Sequence, residues 1–156
     1  MVVTTPVSIV AAANIRTLLW SMGIDDDVSY VTFSDYAIPT EKWMVEEFFP
    51  ALQRDQILHN VAFYVDGPNV CTHFARHAAD FAARCHLQTR DKPDRTAFGV
   101  GEFLYVRPTP PNHAINCWVT RVGEGPLQFR LFEPQPPSHL VEYTQKEIIK
   151  CLFARI

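Results

Sequence analysis

The sequence predicts an α+β fold: N-terminal helices first, then a central helix bearing Cys71, then an antiparallel sheet on which that helix packs. Two patterns carry the prediction. Through the Cys71 helix the apolar residues recur at helical spacing, whereas after it they fall in short extended runs separated by turn residues. Composition bounds the result. With 156 residues, 47% of them hydrophobic, the chain can bury a core without disulfide staples, and no linker divides it, so residues 1–156 read as one domain.

Residues 6–22 read as a first helix, with Ile9, Val10, Ala13, Ile15, Leu18, Leu19 and Met22 on a broad apolar side and Gly23 as its stop. Asp25-Asp26-Asp27 follow as an acidic loop. They lack the alternating ligands and turn glycine of a calcium loop, so the loop is read as solvated and no metal is assigned to it. Residues 28–33 read as a short strand. Thr40 and Glu41 open a second helix that buries Trp43, Met44, Phe48 and Leu52, and that Pro50 kinks or ends.

Residues 61–65 form an apolar extended run leading into a polar turn, Asp66-Gly67-Pro68-Asn69. Beyond it, Phe74, Ala75, Ala78, Phe81, Ala82 and Cys85 mark the central helix. Asn69 is placed to cap it, which sets Cys71 in the first turn. After a polar loop, residues 98–106 read as a strand. Pro110-Pro111-Asn112 then leads into a strand from His113 to Val119, Gly123-Glu124-Gly125 reads as a hairpin loop, and residues 127–133 return. Thr144 and Glu147 form a capping box for a closing helix.

A formal net charge of −3, with no basic run, excludes a nucleic-acid-binding role. The apolar N-terminus lacks a basic leader, and Asn14 and Arg16 interrupt it, so neither a signal peptide nor a membrane span is expected and the chain reads as cytoplasmic. Cys71 and Cys85 would lie about 20 Å apart along one helix, too far to bridge, so the four thiols read as reduced.

The candidate chemistry centres on Cys71. A thiolate is the working nucleophile of thiol enzymes, and the unsatisfied N–H groups of a helix N-terminus lower a cysteine pKa; the structural alternative is a small buried residue, as most free cysteines are. His113 stands at the mouth of its strand. If the hairpin closes with Val122 facing Pro126, Ile115 lies opposite Glu133, so His113 and Glu133 share a face as diagonal neighbours. A slip of one residue would send Glu133 to the other face. The Cys71 backbone N–H, with Asn69, is the tentative oxyanion donor pair. His73, His77 and Asp80 lie within about 60° of arc and could share a cation, but they fall on the polar side of the helix, where a solvated face is the better reading.

Four runs in order, Asn69-Val70-Cys71-Thr72-His73-Phe74-Ala75, Ala97-Phe98-Gly99-Val100-Gly101, Asn112-His113-Ala114-Ile115-Asn116 and Phe132-Glu133-Pro134-Gln135, resemble the papain-like C-terminal domain of the Marasmius-type mushroom agglutinin and its phage and bacterial relatives. The resemblance implies a papain-like cysteine proteinase fold that is often a homodimer. It implies Cys71 as nucleophile, His113 as base and Glu133 as the carboxylate, acting on peptide or amide bonds through an acyl-enzyme thioester. Calcium enters by this resemblance only, and this chain has Val70, Thr72 and His73 where the relatives carry acidic residues, so no cofactor is required. Papain-like enzymes also place an oxyanion glutamine just before the cysteine, and none stands between Gln56 and Cys71. Two alternatives stay open: a peptidoglycan amidase or endopeptidase of the cysteine, histidine-dependent amidohydrolase (CHAP) family, echoed by Cys71-Thr72-His73-Phe74-Ala75, and an inactive papain-fold binding module.

Overall fold

A computed structural model describes residues 8–61, 70–89, 96–144 and 146–156. Within them the α+β class holds. Strand β1 (Ser8–Ala11) leads into α1 (Ala12–Ser21), followed by β2 (Ser29–Tyr30) and β3 (Asp35–Ile38). Helix α2 (Glu41–Trp43), a π-helical turn (Met44–Phe48) and α3 (Phe49–Leu58) run on continuously, and α4 (Val70–Leu87) carries Cys71. Strands β4 (Ala97–Phe98), β5 (Val100–Val106), β6 (His113–Thr120), β7 (Gln128–Glu133), β8 (His139–Val141) and β9 (Lys150–Arg155) complete the order.

The strands form two sheets, a small one ordered β1-β3-β4 and a six-stranded one ordered β2-β9-β5-β6-β7-β8. The strand expected over residues 98–106 is shared between them. Its break is Gly99, whose N–H donates to Ala37 O and whose carbonyl accepts from Val119 N–H. The large sheet is covered on both faces. Ile15 and Leu19 of α1 pack with Phe103, Ile115, Cys117 and Leu131 on one face. Phe48 and Leu52, with Ala78 and Phe81 of α4, pack with Trp118 and Phe132 on the other. Each fully buried large side chain contributes roughly 1.5–3 kcal/mol relative to exposure.

Four expectations from the sequence are corrected. The first helix starts at Ala12 rather than at residue 6, because residues 8–11 pair antiparallel with β3, Ile9 opposite Ala37. The strand expected at residues 28–33 is reduced to two residues paired parallel with β9. Pro50 does not end its helix, which runs on to Leu58. The turn before it is π-helical, with Phe49 N–H bonded to Met44 O five residues back, and that wider turn relieves the usual clash of a proline ring with the carbonyl four residues earlier. The closing helix does not form. Thr144 Oγ1 does accept the Glu147 N–H at 3.4 Å, but the chain leaves after one turn and its apolar residues enter the sheet as β9, paired with β5. The apolar run at residues 62–65 and the turn at residues 66–69, including the cap and oxyanion candidate Asn69, lie outside the described residues.

Candidate functional site

Strands β6 and β7 pair with Asn116 opposite Phe132, a register that extends to Ile115 opposite Glu133. His113 and Glu133 are therefore diagonal neighbours on one face, at the rim of the sheet. Their side chains meet: His113 Nε2 and Glu133 Oε2 are 2.7 Å apart, with both side chains about 15% exposed. The other carboxylate oxygen, Oε1, accepts the Gln135 backbone N–H at 3.1 Å. Glu133 is thus fixed at both oxygens.

Cys71 lies in the first turn described for α4, close enough to the same imidazole for each group to shift the other's pKa. With Nε2 turned to Glu133, Nδ1 is the ring nitrogen left for the sulfur. Burial by itself would raise the Cys71 pKa; the Ala114 backbone N–H, the His113 hydrogen bond and charge, and Thr72 outweigh it and hold the thiol below its ordinary value. The hydrogen bond to Glu133 is the largest influence on His113. Together with the charges of Glu133 and Cys71 it overcomes desolvation and raises the imidazole pKa. Both shifts favour the thiolate–imidazolium pair. The other three thiols go the opposite way, since burial pushes Cys85 and Cys151 up to about 11 and drives Cys117 up as well.

Two buried amides hold these parts together. Asn116 Nδ2 donates to Ala75 O, one turn beyond Cys71, and to Gly101 O on β5, both at 2.8 Å. It ties the cysteine helix to the sheet. Gln56 Nε2 on α3 donates to Pro134 O at 2.9 Å, steadying the chain next to Glu133. Gln56 is fully buried, and it is the Nε2 end of its amide that is bonded there. Beneath the imidazole, the Tyr105 ring stands edge-on at 5.8 Å, its hydroxyl 3.3 Å from Glu147, with burial the first cause of a phenol pKa of about 12.

Sulfur, imidazole and carboxylate open into a cleft of about 550 Å³, which Arg107, Gln135 and His139 also line. A larger concavity, about 1080 Å³, runs along α4 past Phe33, Arg76, Phe98 and Arg155 and contains no cysteine. Size alone assigns it no chemistry. The His73, His77 and Asp80 group does not converge on a cation. His77 instead meets Asp55 at 2.9 Å, beside Arg84, and among the described residues no group of three or more His, Cys, Asp or Glu side chains is placed to hold a metal ion. Among those residues no helix is long and apolar enough to cross a membrane.

No protein-family model and no curated protein matches the chain. Solved structures similar to it over 95% of its length include these two. One is Polyporus squamosus lectin bound to a human-type influenza-binding epitope, Neu5Acα2-6Galβ1-4GlcNAc, with TM-score 0.71 and 17% identity. The other is the PSL1a-E64 complex, with TM-score 0.70 and 16% identity. The chain spans 49% and 51% of those chains, about half their length. At such identity the likeness shows the fold alone.

These neighbours correct the family and function expected from the sequence. One of them is a lectin by name and sugar-bound, and neither is named as a peptidase. The assignments of a papain-like cysteine peptidase domain, of a hydrolase cutting peptide or amide bonds, of a CHAP-type peptidoglycan enzyme and of an inactive papain-fold module are withdrawn on that finding, and a peptide substrate goes with them.

Proposed function

We propose that Cys71, His113 and Glu133 form a reactive-thiol site that captures a small electrophilic ligand. The observation that carries it is one imidazole held at 2.7 Å by a carboxylate and sharing a cleft open to solvent with a thiol whose pKa it helps to lower. In this reading His113 takes the Cys71 proton, and Glu133 accepts the Nε2–H and stabilises the imidazolium. The sulfur lone pair forms a bond to the electrophilic carbon. The electron pair of the bond that breaks goes to the departing or ring-opened heteroatom, which takes the proton back from His113. The proposal concerns adduct formation and assigns no bond cleavage in a peptide.

The test is intact-mass analysis after brief exposure to iodoacetamide, together with binding measurements using E64, the ligand named for the PSL1a complex. One carbamidomethyl group should appear on Cys71 ahead of the other three cysteines, and E64 should bind the native chain but not Cys71→Ala. Labelling of Cys71 no faster than that of an unfolded thiol would overturn the proposal.

A second reading, carbohydrate binding, is favoured by the name and bound epitope of the lectin neighbour, of which this chain spans half. Titration of the sialylated trisaccharide into the labelled protein, followed by amide NMR, tests it. Saturable shifts in a contiguous set of residues would support it, and unchanged spectra would remove it.

A further inference from the structure

Arg107 follows directly on β5. In the β5–β6 pairing Tyr105 stands opposite His113. Carried two positions beyond that pair, the register sets Arg107 opposite Pro111, on the His113 face and diagonal to His113 itself, about 7–8 Å away. The contacts agree with this placement. Arg107 Nε–H donates to Pro111 O and to Thr109 O, both at 3.0 Å. These bonds pin the guanidinium by its inner edge only. Among the described residues no hydrogen bond or ion pair involves its two terminal nitrogens, and the side chain lines the same cleft as Cys71.

The nearby carboxylates are committed elsewhere. Glu133 is engaged at one oxygen by His113 and at the other by the Gln135 N–H, and Glu147 Oε1 is met by the Tyr105 hydroxyl. A planar donor fork with unused N–H groups, anchored at the mouth of a cleft that holds a nucleophile, fits a carboxylate with two parallel hydrogen bonds. A purely structural arginine stapling residues 109–111 would account for Nε alone.

We infer that Arg107 is the anion-recognising residue of the cleft, so that the electrophile taken by Cys71 carries a carboxylate near its reactive carbon. The inference deepens the reactive-thiol reading and rests on it. Iodoacetate and iodoacetamide separate the two, because both alkylate a thiolate in one step, with the S–C bond forming as the C–I bond breaks and iodide leaving with the electron pair. They differ in whether the reactive carbon bears a carboxylate or a neutral amide. The readout is the ratio of their rates on Cys71, measured for the native protein, Arg107→Gln and Arg107→Lys, with Cys71→Ala confirming the labelled position.

Both reagents attack the same sulfur, so a loop loosened by substitution cancels in the ratio. The iodoacetate-to-iodoacetamide ratio should fall about three- to tenfold in Arg107→Gln, the size expected for losing one positive charge at this range in a partly solvated cleft. It should be partly kept in Arg107→Lys, and the native ratio should drop as salt is added. An equal ratio in the native protein and Arg107→Gln overturns the inference while leaving the thiol reading standing. Slow reaction of native Cys71 with both reagents overturns both.

Discussion

Replacing Glu133 by glutamine tests how much of the thiolate is owed to the carboxylate behind the imidazole. The side chain keeps its shape and a carbonyl oxygen able to accept from Nε2, so the change removes charge rather than packing. A hydrogen bond to a charged group contributes about 1.5–3 kcal/mol, and the 2.7 Å separation with both partners about 15% exposed places this pair inside that range. At the lower end, and at about 1.4 kcal/mol per tenfold, the imidazolium form of His113 loses roughly tenfold in stability relative to the neutral ring. Cys71 loses its counter-ion in proportion, and at pH values below the native thiol pKa the thiolate fraction should fall by up to about tenfold.

The assay is the iodoacetamide rate on Cys71 as a function of pH, with His113 followed by NMR. In the native protein the rate should rise at a pH below that of an ordinary thiol, about 8.5. In Glu133→Gln the profile should move up toward that value. The linkage to stability has a definite sign. Because the His113 pKa is raised on folding, its contribution is fully present below the unfolded imidazole pKa and is lost as pH rises through the folded value; because the Cys71 pKa is lowered, its contribution is present above the unfolded thiol pKa and lost as pH falls through the folded one. Superimposable native and Glu133→Gln profiles would refute the claim that the carboxylate acts on the sulfur through the ring.

Two further outcomes follow from the packing. A methyl group at Gly101 would run into the Arg155 carbonyl, where β5 and β9 approach, so Gly101→Ala should destabilise the protein by about 3 kcal/mol, at the upper end of overpacking costs, or fail to fold; a urea midpoint equal to that of the native chain would contradict this. Asn116→Ala removes two buried hydrogen bonds and should cost about 1–3 kcal/mol, and it should also slow Cys71 alkylation, because the helix turn after Cys71 loses its tie to the sheet; loss of stability with an unchanged alkylation rate would limit Asn116 to a scaffold role.

The pairing of His113 with Glu133 was legible because a glycine-bounded loop between two alternating runs leaves few registers, and only one of each adjacent pair puts both side chains on the same face. The helix around Cys71 was legible from apolar periodicity alone. What escaped depends on partners far along the chain. Residues 8–11 and 150–155 have weak local signals and become strands through pairing with β3 and β5. Thr144 and Glu147 make the local capping contact, yet the sheet takes the residues that follow. Gln56 is a buried amide on a helix whose polar residues otherwise read as solvated. Asn116 did leave a trace, as the one amide inside the apolar run from Ala114 to Val119, and that break in pattern marks a side chain with a buried task. The family and activity were not legible, since short runs shared in order do not fix either.

The π-helical turn at Met44–Phe48 has a consequence for Gln56. It holds one residue more than an α-helical path would need, and each residue advances an α-helix by about 100°. Wound as an uninterrupted α-helix, the same residues would swing everything downstream around by about that angle. Gln56 would then point away from Pro134, and the segment behind Glu133 would lose its brace. The wide turn thus works as a phase adjuster, setting which way a distant amide faces.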